Sequence, residues 1–452
     1  MAQVELILPG DGESPFVAGT SFDISSIGYA EAEYSFAGLA HAYARGGSDV
    51  AAVDCAEFNT RLLVYRPIDD AAFNGTVWIE WLNVSGGIDA APGWIFTHTE
   101  LARSGAAWVG VSAQQMGVEG GTSILGFPGP GLVSIDPKRY GALHHPGDRF
   151  SYDIFSQVSD AVRRASGTIL EGLTIEHAIA TGESQSASRL TTFVNEIDPL
   201  VQVHDGFLIH ARGKGAAPLD DDLESQGALD RDPVLFRDDL RVPVLCVESE
   251  SDLITLGYRE ARQANTASLV AWEMAGTSHA DVYTFVAGPM DTGRLPIEEL
   301  AANWVPVREI FGMETDRLVN AGPQHYVMNA AVRHLGLWVH HGTRPPQAPR
   351  IEMRGGSFIT DHLGNVKEGI RTPHVDVPTA VLSGTGNWGH PIGFLSGCTI
   401  PFDSEKLGEL YPSRAIYFAR FDAALESAVA AGFILIEDAD EIKMIAEINS
   451  PL

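Results

Sequence analysis

A serine flanked by small residues marks the first place in this sequence where chemistry can be expected. The pentapeptide GESQS centres on Ser184, with Gly182 two positions before it and Ser186 two positions after it. The short apolar run His177 to Ala180 precedes this turn, and a helix-like segment, Ala187 to Glu196, follows it. A turn that joins a strand to a helix this tightly requires small side chains at those two positions. The pattern therefore predicts that Ser184 is a nucleophile raised above the end of a sheet.

An acid and a base that could activate this serine follow it in the chain. Asp252 comes just after the apolar run VPVLCV, and His279 comes just after the run LVAWEM. The order serine, acid, histidine is typical of nucleophilic hydrolases whose triad residues follow the strands of an α/β sheet. Glu250 lies two positions before Asp252 and is the alternative acid. We expect His279 to act as the general base and the carboxylate to orient its ring.

Other histidines compete with His279 for the role of base. His374 is close in sequence to Asp376 and could form a local pair with it. Four more histidines lie on or beside one predicted helix, where packing and surface roles are more common: His325, His334, His340 and His341. We therefore retain His279 as the expected base and His374 as its rival.

The loop after the strand TVWIEWL is the expected source of a second oxyanion donor. It reads Asn-Val-Ser-Gly-Gly over residues 83–87, and its two glycines allow a close approach to a substrate. The candidate donors are the backbone N–H groups of Val84 or Ser85, together with that of Gln185.

Short apolar runs alternate with helix-like segments up to about residue 285, which predicts a mostly parallel sheet covered by helices on both faces. The expected strands are Glu33–Tyr43, Arg61–Tyr65, Thr76–Leu82, Ala107–Ser112, His177–Ala180, Gly206–His210, Val242–Val247 and Leu269–Met274. The expected helices are Trp94–Ser104, Asp153–Ser166, Ala187–Glu196, His325–Val339 and the stretches 415–432 and 438–448.

The predicted domain organisation is a hydrolase core over residues 1–285 and a C-terminal elaboration over residues 286–452. Residues 113–150 are rich in glycine and proline and are expected to form a long loop insertion in the core. Long loops in compact folds are often functional. We expect this insertion and the C-terminal elaboration to cover the active site.

Composition excludes several classes of function. Lys and Arg number 30 against 59 Asp and Glu, for a formal net charge of −29, which disfavours nucleic acid and anionic membranes as partners. Three widely spaced cysteines predict neither a disulfide framework nor a zinc site. The stretch 384–389 fits the pattern G-x-G-x-x-G, but no helix pattern follows it, so we expect a turn and no dinucleotide. We expect no metal and no cofactor. With no visible signal peptide and no long apolar segment, the expected location is the cytoplasm.

Longer segments resemble a bacterial and fungal family of alpha/beta hydrolase domain proteins over nearly the whole chain. The resemblance rests on WIEWLNVSGGID, VGVSAQQMGVEG, ATGESQSASRL, VESESD, WEMAGTSHAD and GIRTPHVDVPTAVLSG. It implies an esterase-like hydrolase with a serine, acid and histidine triad, and it implies that the C-terminal segment is part of the family's architecture. It does not decide between Asp252 and Glu250.

Residues and resemblance together predict a serine hydrolase that cleaves a small carboxylic ester or lactone through an acyl-enzyme. Two alternatives stay open at this stage. One is an acyltransferase or peptidase with the same triad, and the other is a non-catalytic binding protein with a hydrolase fold. The sequence leaves the acyl and alcohol preference open, as well as the choice between monomer and homo-oligomer.

Overall fold

The computed structural model describes residues 3–8, 14–47, 49–164, 166–219, 231–389 and 391–452. The chain divides into two compact units. The first consists of Met1–Gly19, Asp23–Val244 and Thr266–Leu269, and the second of Thr20–Phe22, Leu245–Asn265 and Val270–Leu452. The expected boundary near residue 285 stays a prediction. We describe each unit by itself.

The first unit is built on a sheet in which strands lie in the order β1-β2-β3-β5-β4-β8-β9. The strands of this unit are β1 Gln3–Ile7, β2 Tyr29–Gly46, β3 Asp49–Pro67, β4 Thr76–Trp81, β5 Ala107–Val111, β6 Gly121–Thr122, β7 Pro128–Gly129, β8 His177–Glu183 and β9 Gly206–His210. The neighbours β5, β4, β8 and β9 run parallel. They form the parallel centre that the alternating apolar runs predicted.

The parallel strands are buried along their whole length except at His177, the first residue of β8, and this burial explains their apolar composition. Every residue of β4, β5 and β9 is buried, as expected for strands covered on both faces. In the register of β4 with β8, Glu80 pairs with Thr181. The carboxyl ends of these two strands therefore meet at one edge of the sheet, where Asn83 and Ser184 follow them.

The N-terminal hairpin is much longer than the sequence indicated. Strands β2 and β3 contain 18 and 19 residues and pair antiparallel, with a register shift between Ala42 and Tyr43. Many of their residues are alanines, which favour strands only weakly, and this hid the length of the hairpin from a propensity argument.

Helices cover this sheet and occupy the insertion. The helices of the first unit are α1 Pro92–Ser104, α2 Gln115–Glu119, α3 Gly131–Ile135, α4 Pro137–Tyr140, α5 Ser151–Arg164, α6 Ser166–Ile169, α7 Gln185–Thr192 and α8 Asp198–Val201. Shorter or wider helical turns lie at Ile24–Ile27, Asp70–Ala72, Asp148–Phe150 and Phe193–Ile197. Residues 113–150, expected as a loop, thus contain three short helices and the small hairpin β6–β7.

The insertion is tied to the helix that follows Ser184 by one carboxylate. Asp148 accepts hydrogen bonds from Gln114 Nε2 at 3.0 Å, Gln115 N at 2.8 Å and Arg189 Nη2 at 2.9 Å. Burial opposes ionisation of this carboxyl, but Arg189 and the other donors hold its pKa below the usual value. Because Arg189 lies on α7 and is fully buried, the ion pair fixes the start of α5 to the same helix that begins at Ser184.

The second unit carries the next two buried strands and the C-terminal helices. Its strands are β10 Val244–Ser249, β11 Leu269–Met274, β12 Glu309–Ile310, β13 Met313–Glu314, β14 Met353–Arg354, β15 Ser357–Phe358, β16 Ala380–Ser383 and β17 Cys398–Pro401. Its helices are α9 Glu250–Ile254, α10 Ile297–Asn303, α11 Gln324–His341, α12 Pro373–Asp376, α13 Gly393–Ser396, α14 Ser404–Leu410, α15 Arg414–Ala430 and α16 Ile436–Ile448. Helical turns lie at Tyr258–Ala261 and Tyr283–Ala287.

The C-terminal segment agrees with its sequence pattern where that pattern is periodic. Helix α11 ends at His341, and Gly342 caps it in a left-handed backbone conformation. Helices α15 and α16 lie on the predicted helical stretches. Within the described ranges, no helix is both long and apolar enough to cross a lipid bilayer.

Candidate active site

The backbone at Ser184 adopts a conformation that L-residues rarely take. Its φ is 59° and its ψ is −115°, at the point where β8 ends and α7 begins. Such a conformation costs about 1–3 kcal/mol and persists only when the surrounding structure holds it in place. Ser184 therefore stands in the strained strand-to-helix turn that the pentapeptide predicted.

Two small residues make room for this turn. A Cβ atom added at Gly182 would lie 3.1 Å from the Cβ of Ser186 and 3.0 Å from Leu190 Cδ1. Ser186 is completely buried. The serine that replaces a second glycine therefore fits because Gly182 has no side chain, whereas larger side chains at both positions would collide.

Hydrogen bonds hold the turn from both sides. The N–H of Ser184 donates to His210 O at 3.0 Å, at the end of β9, and Ser184 O accepts from Ser188 N at 3.0 Å within α7. Gln185 is the first residue of α7, and the first N–H groups of a helix have no acceptor inside the helix. In the part of the chain that the structure describes, the Gln185 N–H has no acceptor.

Asn83 joins the loop after β4 to the residue before the serine. Its Nδ2 donates to Glu183 O at 3.0 Å and to Glu183 Oε2 at 3.3 Å, while its Oδ1 accepts from Ser85 N at 2.7 Å. The Ser85 N–H is thus engaged inside its own loop. Among described residues the Val84 N–H has no acceptor, so Val84 is the better of the two predicted donors in this loop.

The same loop is closed at its base and anchored to the sheet. Asn83 and Ala90 exchange two backbone hydrogen bonds of 2.8 Å. Asp89 accepts from Arg61 Nη2 at 2.8 Å and from Ser112 Oγ at 2.5 Å, and all three side chains are buried. This frame makes the position of Val84 rigid, which is what a backbone donor for a developing charge requires.

The side-chain amide of Gln185 is buried beside the serine. Neither Oε1 nor Nε2 has a hydrogen-bond partner among the residues that the structure describes. An unsatisfied buried polar atom costs about 1–3 kcal/mol. Water or a bound molecule with polar groups would satisfy this amide.

In the second unit, Asp252 and His279 form a close pair. Asp252 Oδ1 and His279 Nδ1 lie 2.6 Å apart, and both side chains are buried. The other oxygen of Asp252 accepts from Ser249 N at 2.6 Å and Ser249 Oγ at 2.7 Å, which forms a capping box at the start of α9. Asp252 is thus held by its own helix through one oxygen and presents the other oxygen to the histidine.

Glu250 faces a different set of partners. Its Oε1 accepts from Gly276 N at 2.6 Å and its Oε2 accepts from Gly384 N at 2.9 Å. Burial raises the pKa of Glu250 to about 7, although the two backbone donors oppose this shift. Glu250 thereby links α9 to the turn before His279 and to the loop after β16, and both of its oxygens are occupied.

Two residues that the sequence argument did not select help to position His279. Ser251 Oγ accepts from His279 N at 3.1 Å and donates to Gly384 O at 2.5 Å. A Cβ at Gly384 would lie 2.4 Å from Glu250 Cβ, so only glycine fits there. The segment 384–389, expected as a simple turn, therefore supports α9. The feature of the sequence that could have indicated this contact is Gly384, because glycine allows two backbones to approach closely.

The rival histidines occupy other environments. Asp376 Oδ1 accepts from Arg371 Nε at 2.6 Å, and no hydrogen bond joins His374 to Asp376 among the described atoms, so the local pair considered for these residues does not form. His325 stacks on Tyr283 at 4.0 Å, and His334 Nε2 lies 2.8 Å from Gly432 O.

A family model described as "Alpha/beta hydrolase domain" matches residues 4–444. The chain belongs to this family, and the predicted α/β-hydrolase fold is confirmed. No curated protein matches the chain as a relative.

Solved structures match the chain at low similarity. Esterase Est22 has 13% identity and a TM-score of 0.30 over 55% of this chain and 72% of that one. A thermostable esterase from Pseudomonas putida has 12% identity and a TM-score of 0.30, over 56% and 75%. A serine hydrolase without a lid from Xanthomonas campestris has 13% identity and a TM-score of 0.29, over 49% and 80%. Similarity at this level carries no information on activity.

The variant Glu250→Gln tests whether Glu250 has a structural role that differs from the role of Asp252. The amide can accept only one of the two backbone N–H groups, so we expect the free energy of unfolding to fall by about 1–3 kcal/mol. Because the folded-state pKa is raised, the carboxyl contributes stability that is complete below its ordinary pKa and is lost as pH rises through about 7. Chemical denaturation at pH 5 and pH 8 should show this loss in the wild type. The same pH dependence in the glutamine variant would contradict the assignment.

Proposed function

We propose that the protein is a serine hydrolase that cleaves a carboxylic ester or lactone through an acyl-enzyme on Ser184. The observation that carries the proposal is the strained backbone of Ser184, at φ 59° between β8 and α7. Such strain is maintained at functional sites. Membership of the alpha/beta hydrolase domain family also supports hydrolysis as the reaction class.

In the proposed first step, His279 removes the proton from Ser184 Oγ as this oxygen attacks the ester carbonyl. The support for this role lies in the pair formed with Asp252 at 2.6 Å, because a carboxylate on Nδ1 fixes the tautomer in which Nε2 is the basic nitrogen. Asp252 also stabilises the imidazolium that results. Glu250, the alternative acid, has both oxygens on backbone N–H groups, and we assign it a structural role.

The oxyanion of the tetrahedral intermediate is proposed to accept hydrogen bonds from the backbone N–H groups of Gln185 and Val84. Each such donor is worth ~3 kcal/mol in comparable sites. The intermediate collapses to an acyl-enzyme as His279 protonates the leaving alcohol. Water then attacks the acyl-enzyme, with His279 as the base, and the acid product leaves.

Water is the acceptor that we favour. The alternatives change the acyl acceptor, change the bond that is cleaved, or remove the reaction. An acyltransferase would pass the acyl group to an alcohol, and a peptidase would open an amide. Product analysis with competing alcohols and amines distinguishes these reactions from hydrolysis. A non-catalytic binding protein would have no need of a strained serine or of a carboxylate on His279, and this favours an enzyme.

The triad predicts a specific pattern of activity on p-nitrophenyl esters of graded acyl length. Ser184→Ala should abolish turnover, and Asp252→Asn should lower kcat by about 10⁴-fold because the histidine tautomer is no longer fixed. Ser188→Ala, on the same helix, is the matched control and should retain activity, and Glu250→Gln should retain most of it. Full activity in Ser184→Ala, or a loss in Glu250→Gln as large as in Asp252→Asn, would refute the assignment.

Asn83 should act as a positioning residue for the donor Val84. Asn83→Ala removes the hydrogen bonds to Glu183 and Ser85, so we expect kcat to fall by about 10-fold to 100-fold with little change in KM. Asn74→Ala is the matched control, because Asn74 Oδ1 accepts from Thr76 N at the opposite end of β4. Both variants should lose about 1 kcal/mol of stability. Equal kcat values for the two variants would exclude the positioning role.

A further inference from the structure

The second unit contains a cavity of about 300 Å³. Its walls come from several segments of the C-terminal part, including β16, β17, α15 and α16. A volume of this size is at the lower end of the range for small-molecule sites. Ser184, Asp252 and His279 are absent from the described residues that line it, so the proposed ester hydrolysis does not account for this cavity.

The walls of the cavity are mostly apolar. The larger apolar side chains that line it are Trp304, Val377, Leu382, Phe402, Ile442 and Ile445. The described lining contains neither Lys nor Arg, and neither Asp nor Glu. A charged ligand would lose its hydration here without gaining an ionic partner among the described lining residues, which is strongly unfavourable. The composition therefore points to a neutral, largely apolar ligand.

Most polar groups in the walls are already engaged within the protein. Tyr326 Oη donates to Glu441 Oε1 at 3.0 Å, Thr399 Oγ1 donates to Val319 O at 3.0 Å, and Asn449 Nδ2 donates to Ala301 O at 2.9 Å. These groups contribute surface to the cavity, but they are not available to orient a ligand.

His374 and Tyr417 also line the cavity, but they differ from these engaged groups in their hydrogen bonding. His374 Nδ1 is buried without a partner in the described structure. The Tyr417 side chain is buried too, and its hydroxyl has no hydrogen-bond partner among the described residues. Their rings both pack against Phe421, with centroid distances of 5.3 Å and 5.8 Å. Two unsatisfied hydrogen-bonding side chains thus line the same cavity and share one neighbour.

Both side chains are uncharged near neutral pH. Burial lowers the pKa of His374 to about 4 and raises that of Tyr417 above its usual value. A neutral imidazole offers one donor and one acceptor, and a phenol hydroxyl offers one donor and an acceptor oxygen. Together they match a ligand group that both donates and accepts a hydrogen bond.

We propose that this cavity binds a small neutral alcohol or phenol, with its hydroxyl at His374 and Tyr417 and its apolar part against the walls. The cavity has room for about ten water-sized volumes, so a ligand of about ten non-hydrogen atoms would fill it. A hydroxyl group donates and accepts at once, and the uncharged walls exclude the corresponding carboxylates.

Calorimetric titration of the full-length protein with phenol, toluene and benzoate tests this site. Phenol should bind, and benzoate should not. Tyr417→Phe removes only one hydroxyl and should weaken phenol binding about fivefold, the value of one net hydrogen bond, while leaving the affinity for toluene unchanged. The proposal is overturned if phenol does not bind, if benzoate binds equally well, or if Tyr417→Phe changes neither affinity.

A second pair of variants tests the location. Ala446 lines the cavity on α16, so Ala446→Phe should fill part of it and weaken phenol and toluene alike by at least tenfold. Met444 is exposed on the same helix, and Met444→Phe should leave both affinities unchanged. Circular dichroism identifies variants that fold. Unchanged phenol binding in a folded Ala446→Phe variant would place the ligand elsewhere and overturn the proposal.

Discussion

The positive φ of Ser184 is the constraint that the surrounding residues of the first unit must maintain. A serine at φ 59° is unfavourable by itself, so neighbouring groups must hold it there. Gly182 and Ser186 leave the space, and His210 O accepts the Ser184 N–H. The result of this arrangement is that the Gln185 N–H, at the start of α7, has no acceptor among the described residues.

Buried and partly buried carboxylates position the elements around the two proposed catalytic regions. In the first unit, Asp148 fixes α7 through Arg189, and Asp89 fixes the loop that carries Val84. In the second unit, Glu250 ties α9 to two backbone N–H groups, so that Asp252 can present one oxygen to His279. Each carboxylate has hydrogen-bond donors already in place, and this limits the desolvation cost of its charge.

The sequence predicted the central strands, the turn at Ser184 and most long helices because these features are local. Periodicity located α11, α15 and α16, and apolar runs located β4 and β8–β11. The hairpin β2–β3 was predicted too short, since its many alanines favour strands weakly. The acid was left open between Asp252 and Glu250 because the choice depends on which backbone groups approach each carboxylate. Those groups come from Gly276 and Gly384, far away in the chain.

The contacts of Asn83 were also beyond sequence reasoning. The loop after β4 was predicted as a source of donors, but the engagement of the Ser85 N–H by Asn83 depends on a side-chain rotamer. The cavity in the second unit is a stronger case. Its lining residues come from segments spread over residues 304–451. No local sequence pattern predicts that His374 and Tyr417 line the same cavity.

The central claim is that Ser184 is an activated nucleophile, and covalent labelling tests it most directly. A fluorophosphonate reacts with an activated serine and leaves other hydroxyl groups unmodified, because only the activated oxygen is nucleophilic enough. Intact-mass measurement followed by peptide mapping should show one adduct per chain, on the peptide that contains Ser184, and should show none after heat denaturation. A native protein that remains unlabelled, or that carries its adduct on a different serine, would contradict the account.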